Sequence, residues 1–265
     1  MENNVRNLGT TRRRREEMAV SYIWFDLGYT LLYLKRETTY QKTLAEAGFH
    51  VTIDELEKHF HLMDKYFMRE YPGALGAKRE VVMPWYLGAL NYQMGIMADV
   101  SELETRWAQM QDKTPGYWSS FPQVEGLLKN LRKEGYRLGV ISNWDHTARS
   151  ILDENGLTRY FDNIVISSEV GVTKPDPRIF RLAFEQAGVS PEECLYIGDN
   201  YYDDGVGSEK VGMDYLIINR FGRLGIEELK NCRVISDVTE VTGYLKKSRY
   251  QFPDLSPGRK QGKRT

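Results

Sequence analysis

Cysteine, net charge and long apolar runs are all scarce in this chain of 265 residues. Its two cysteines, Cys194 and Cys232, are too few for a disulfide framework and lack CxxC spacing, so neither is expected to carry chemistry. Thirty-six Lys and Arg face 37 Asp and Glu, a net charge of −1 that gives no general electrostatic reason for a nucleic-acid partner. No apolar run approaches the roughly 18 residues a membrane helix needs. The start of the chain, Arg12 to Arg15 followed by Glu16 and Glu17, has no signal-peptide apolar stretch, and no Asn-x-Ser/Thr sequon occurs. Together these absences lead us to expect a cytoplasmic protein with no membrane partner.

What is present is ordinary for a globular chain: 41% hydrophobic and 28% charged residues exclude collagen-like, low-complexity and largely disordered readings. The length suggests one large domain or a core with an insert. Residues 1–20 read as a disordered basic arm, and residues 248–265, with Arg259, Lys260, Lys263 and Arg264, as a flexible basic tail. Tyr22-Ile23-Trp24-Phe25 is a short apolar run that stops at Asp26 and Gly28, the pattern of a buried strand ending in a turn.

From residue 37 to 114 the period is helical. Leu56, Phe60, Met63 and Phe67 form one stripe, Ser101 with Glu104 suggests a capping box, and Met83, Trp85, Met94 and Met97 are expected to be packing residues. His50, His59 and His61 are expected on solvated helix faces, because their periodicity supports no metal site. Beyond residue 115, apolar strands at 136–142, 163–168, 194–197 and 214–218 alternate with helices at 124–134, 146–154, 177–187 and 204–211. That rhythm predicts an α/β fold with a doubly wound parallel sheet over 21–36 and 115–247, interrupted by the helical segment 37–114. Ligands bind such sheets beyond the C-terminal strand ends.

Four strand ends carry polar side chains: Asp26; Ser142 and Asn143; Thr173, Lys174 and Pro175; and Asp199 to Asp204. A parallel sheet brings them to one edge. A carboxylate, a hydroxyl, an ammonium and further carboxylates are what phosphoryl transfer through an aspartyl intermediate requires. Asp26, Asp199 and Asp203 or Asp204 offer hard oxygen ligands for Mg²⁺, Ser142 and nearby backbone amides can hold phosphate oxygens, and Lys174 can screen the remaining charge. Gly205-Val206-Gly207 is not a dinucleotide fingerprint, because Lys210 stands where a third glycine belongs. His146 reads as the opening of a helix.

The runs Phe25-Asp26-Leu27-Gly28-Tyr29-Thr30, Val140-Ile141-Ser142-Asn143, Gly171-Val172-Thr173-Lys174-Pro175-Asp176-Pro177 and Ile197-Gly198-Asp199-Asn200-Tyr201-Tyr202-Asp203-Asp204 resemble, in order and spacing, the four motifs of the haloacid dehalogenase-like (HAD) hydrolases. The resemblance covers about residues 21–247. It implies a Rossmann-like core with a helical cap inserted between the first two motifs. It also implies Asp26 as nucleophile, Thr30 and Ser142 as phosphate-orienting groups, Lys174 as charge stabiliser, and Asp199 with Asp204 as Mg²⁺ anchors, with Asp203 a further candidate ligand. Gly28 and Asn143 flank the expected phosphate site. The implied partner is a small phosphorylated or halogenated molecule; substrate identity and oligomeric state are left open.

One departure bears on chemistry. The family's phosphatases carry a second Asp two residues after the nucleophile, where this chain has Gly28; loss of such an acid typically lowers rates by roughly 10² to 10⁴. Mg²⁺-dependent phosphoryl hydrolysis remains the leading expectation. The alternatives are 2-haloacid dehalogenase-type cleavage of a carbon–halogen bond and a catalytically weak binding or regulatory module. The phosphonoacetaldehyde hydrolases also replace that Asp and rely on a cap lysine; Lys58, Lys65 and Lys78 are available, and no context marks one of them. The gathered acids would repel anionic substrates unless a cation were bound.

Overall fold

A computed structural model describes residues 20–114 and 116–250; the expected basic arm up to residue 19 and the tail from residue 251 lie outside them. At the centre runs β1 (Tyr22–Phe25), whose four side chains are all fully buried. A strand with no polar residue can exist only where both sheet faces are covered. Ile23 and Phe25 enter one apolar cluster with Leu128 and Val140, while Tyr22 and Trp24 enter another with Ile179 and Phe180. The alternation is the two-residue period of a strand dividing its side chains between two faces.

The chain then passes through β2 (Leu32–Leu34) into helices α1 (Arg36–Glu46), α2 (Ile53–Glu70), α3 (Arg79–Gln93) and α4 (Val100–Asp112). It returns through β3 (Trp118–Ser120) to α5 (Val124–Lys133), β4 (Arg137–Ser142), α6 (Ala148–Glu154), β5 (Asn163–Ile166) and the short α7 (Ser167–Val170). The remaining elements are α8 (Pro177–Ala187), β6 (Cys194–Gly198), α9 (Val206–Val211), β7 (Asp214–Ile218), β8 (Val234–Ile235) and α10 (Val241–Tyr250). The six-stranded sheet has the order β5-β4-β1-β6-β7-β8, and every neighbouring pair is parallel. The connection from β5 to β6 crosses over β1. The strand order therefore reverses at β1, where the C-terminal edge opens a crevice.

The inserted helices own a third apolar cluster that includes Tyr40, Leu44, Phe60, Tyr86, Leu90 and Trp107. Leu56, Phe60, Met63 and Phe67 are buried along α2, whose first turn is closed by a capping box between Thr52 and Glu55.

Several expectations are corrected. The cap of α4 is Asp99, which accepts from the amides of Ser101 (2.9 Å) and Glu102 (3.0 Å), in place of the expected Ser101–Glu104 box. Trp85 and Met97 are 58% and 84% exposed. Trp85 lies one position before the buried Tyr86 on α3, and Met97 one position after the buried Ile96, so each falls off the buried face. Met83 and Met94 do pack against the third cluster. Strand β5 ends at Ile166, because Ser167 turns the chain into α7. The segment expected as helix from residue 204 begins as a π-helical turn, Tyr201–Gly205, before α9. The two strands through which the chain enters and leaves the helices, β2 and β3, pair antiparallel with Leu32 opposite Ser120 and Leu34 opposite Trp118.

Candidate active site

Asp26, Ser142, Lys174, Asp199 and Asp204 meet at the C-terminal edge of the sheet. Lys174 is the hub. Its Nζ, 2% exposed as a side chain, donates to Asp26 Oδ1 at 2.9 Å, Asp204 Oδ1 at 2.6 Å and the Tyr196 hydroxyl at 2.8 Å. Tyr196 in turn donates to the carbonyl of Ile141, tying the lysine to β4 and β6 together. Burial alone would lower the Lys174 pKa, but Asp204 and Asp26 outweigh it and raise the value, holding the ammonium form.

Asn143, expected near a phosphate, bonds the backbone of Lys174 through its side-chain amide. Its side-chain oxygen accepts from the Lys174 amide at 2.7 Å and its nitrogen donates to the Lys174 carbonyl at 2.9 Å. It is a clamp on the lysine loop. Gly198 is equally specific: a Cβ there would stand 2.1 Å from Asp204 Oδ2, so only glycine lets Asp204 pack against the end of β6.

Asp26, Asp199 and Asp204 each offer a carboxylate oxygen, all within 4.8 Å of one another. Two Mg²⁺–oxygen bonds of about 2.1 Å separate their donors by at most about 4.2 Å, so small rotations would let this hard-oxygen set enclose the ion. Burial, with the charge of Asp26, raises Asp199 against the opposing pull of Lys65. Burial likewise pushes Asp204 up to about 7 and Asp203 to about 6. Carboxylates raised by burial and by one another are groups whose charged forms a bound cation would favour. Asp203 lies outside the three-residue set: its Oδ2 accepts from Asn200 at 2.9 Å and Asn143 at 3.4 Å. Both oxygens of Asp204 are engaged, by Lys174 and by the Asn200 amide at 3.0 Å. The hydroxyls of Thr30 and Ser142 are buried without a hydrogen-bond partner, an arrangement that a bound anion would satisfy.

Gly28 lies in the turn after Asp26, where an added Cβ would contact Trp144 at 3.5 Å and Trp118 at 3.7 Å. The two indoles, 4.6 Å apart, wall that side of the site. Next to it, Tyr29 adopts a left-handed φ of 51°, a strained conformation for a residue with a side chain. Its ring lies against the Arg36 guanidinium, which pairs with Asp64 deep in the insert.

Of the three insert lysines that the sequence offered without marking one, Lys65 is the one that reaches the site. From α2 its Nζ donates to the Asp199 carbonyl at 2.6 Å and to Asp199 Oδ2 at 3.1 Å, with the lysine side chain only 5% exposed. The acids therefore carry two resident ammonium groups, one from each side. His61, expected in solvent, is half-buried beside Phe221, and its Nε2 lies 2.9 Å from the Leu224 carbonyl. Burial lowers its pKa to about 4. His59 likewise has a buried Nδ1, whereas His50 is exposed. His146 is exposed in the turn that precedes α6. A cleft of about 400 Å³ between insert and core reaches Thr30, Lys65 and Asp199.

A parallel sheet reversing at a strand-end carboxylate, with further carboxylates and a buried lysine around it, is the architecture of an α/β enzyme, with the candidate site at the ends of β1, β4 and β6. The chain belongs to the haloacid dehalogenase-like hydrolases, whose family pattern matches residues 23–218, and it is a hydrolase of that family. It is 41% identical over 105 residues to mouse haloacid dehalogenase-like hydrolase domain-containing protein 3, spanning 40% of this chain and 42% of the mouse protein. Over 185 residues, 68% of this chain and 73% of the other, it is 28% identical to the glyceraldehyde 3-phosphate phosphatase of Methanopyrus kandleri. The fold is shared with a magnesium-bound HAD-hydrolase from Bacillus subtilis, at a TM-score of 0.58 and 21% identity, covering 86% of this chain and 99% of that one.

Proposed function

We propose that the chain is a Mg²⁺-dependent phosphoryl hydrolase acting on a small phosphorylated molecule through a phosphoryl ester of Asp26. The observation that carries the reading is the Asp26–Lys174–Asp204 cluster within reach of Asp199, with the partnerless hydroxyls of Thr30 and Ser142 beside it. A phosphatase among the relatives and a magnesium-bound structural neighbour support it.

In this reading Asp26 attacks phosphorus and the bond to the leaving oxygen breaks. Ser142 and Thr30 donate to the phosphoryl oxygens, and Lys174 keeps Asp26 oriented and its charge balanced. Asp26, Asp199 and Asp204 would hold Mg²⁺, with Asp203 in the surrounding shell; when bound, the ion supplies Lewis-acid stabilisation of charge on the transferring group. Water then cleaves the acyl phosphate and restores the carboxylate. The helices from residue 37 to 114 act as a cap that excludes water and selects the substrate. The core is 21–36 with 115–247. A cytoplasmic setting suits the two buried free cysteines.

Three observations favour a second reading. Gly28 supplies no acid, the indoles of Trp118 and Trp144 give that side an apolar wall, and Lys65 neutralises Asp199 without a metal. A dehalogenase, with Asp26 attacking carbon, would need no leaving-group proton. Product assays with and without EDTA separate the two. Release of phosphate from an aryl or acyl phosphate that EDTA suppresses is expected; halide release from a 2-haloacid that ignores EDTA would replace the reading, and silence on both classes would remove it.

A further inference from the structure

Helix α2 carries two stripes. The apolar one faces the insert's own cluster; the second, Glu57, His61, Lys65 and Arg69, recurs every four residues and faces the sheet-bearing core. Glu57 meets Arg220 at 3.3 Å, His61 meets the Leu224 carbonyl at 2.9 Å, and Arg69 meets Glu228 at 3.5 Å. Lys65 is the buried centre of this seam, with its two contacts on Asp199. Its stem runs along Gly225, held at a φ of +79°, where an added Cβ would come within 3.1 Å of Lys65 Cβ. The base of the lysine stem is thus packed into the seam while its ammonium bonds Asp199. The cleft ends at the same place: Lys65, Asp199 and Thr30 line it, whereas Asp26, Ser142 and Lys174 do not.

We propose that Lys65 is a positioning residue that serves as the resident counter-ion of Asp199 and competes there with the divalent cation. This rests on the metal-dependent reading above. In the metal-free protein the ammonium neutralises Asp199 and keeps the insert fastened along α2. A divalent ion at the same carboxylate repels the ammonium and takes over its compensating role, so metal binding and seam closure oppose each other. By linkage the opposition is reciprocal: weakening the seam strengthens metal binding, and metal binding loosens the seam.

The probe is Mg²⁺ alone, titrated calorimetrically into the full chain and into Lys65→Met, which keeps the stem. Losing a charge-assisted contact to a buried carboxylate should leave Asp199 seeking a cation, and Mg²⁺ binding is expected to tighten by roughly tenfold or more. Unchanged or weaker binding overturns the proposal, as does the absence of binding by both chains. Should Lys65→Met fail to fold, the unaltered chain answers the same question by hydrogen exchange. Saturating Mg²⁺ is expected to speed amide exchange in 57–69 and 221–228, and unchanged exchange overturns the proposal. Tighter binding in a chain that releases no phosphate retains this inference and discards the catalytic reading; EDTA-sensitive phosphate release with unaltered binding in the variant does the reverse.

Discussion

The two walls of the site are built in different ways. On the core side the polar groups come from separate segments at the C-terminal edge of the sheet: Asp26 after β1, Ser142 and Asn143 at the end of β4, Lys174 in the loop after α7, and Asp199 and Asp204 after β6. Lys174 joins them through Asp26, Asp204 and Tyr196, while Asn143 locks the lysine backbone. On the insert side a single helix face presents Glu57, His61, Lys65 and Arg69, and only the middle of that seam is buried. The core wall is tied through contacts among several loops, whereas the insert wall meets the core along one helix face.

The hardest test of that contrast is Lys174→Met. Removing the shared cation leaves Asp26 and Asp204 buried without their partner, which should lower stability by about 3–5 kcal/mol in denaturant unfolding; a loss below 1 kcal/mol would show that the core wall is looser than its contacts imply. Gly198→Ala follows, because its methyl would overlap Asp204. It is expected to cost about 1–3 kcal/mol and to weaken Mg²⁺ binding, both readable by thermal melts with and without the ion.

The insert wall is tested by pH through His61. The folded pKa of about 4 lies below the unfolded value of roughly 6.5, so the unfolded chain binds the proton more readily between those limits. Stability is fully present above the unfolded value and is lost as pH falls towards 4. The burial-raised Asp203 and Asp204 act with the opposite sign, losing favour as pH rises towards 6 and 7. Comparing the unaltered chain with His61→Gln isolates the histidine. The unaltered chain is expected to lose on the order of 1–2 kcal/mol more between pH 7 and pH 4.5, after its partial exposure is discounted, and parallel profiles would refute the buried seam.

The same contrast explains what could be read from the residues. Asp26, Ser142, Lys174 and Asp199 were legible because each follows an apolar strand, and a parallel sheet must bring such ends to one edge. The fold was legible for the same reason: the βα rhythm beyond residue 115 is regular, and β1 has no polar residue. Lys65 could be named as one of three insert lysines, but its contact with Asp199 was not legible. Its partner is more than a hundred residues away, and a lysine at helical spacing looks like any solvated one until the loop around Leu224 and Gly225 packs against it. His61 was missed for the same reason. Strands β2 and β3 are three residues each, too short to show a period, and they exist because the chain crosses itself on entering and leaving the insert. Asn143 was found for its place in a motif, but only the structure shows that its amide serves the backbone of Lys174.

The most direct measurement is phosphate release from an aryl phosphate by Asp26→Asn beside the unaltered chain in saturating Mg²⁺. The account predicts that the variant melts and scatters as a folded protein and loses activity by roughly 10³-fold or more; undiminished release by a folded Asp26→Asn chain would contradict it.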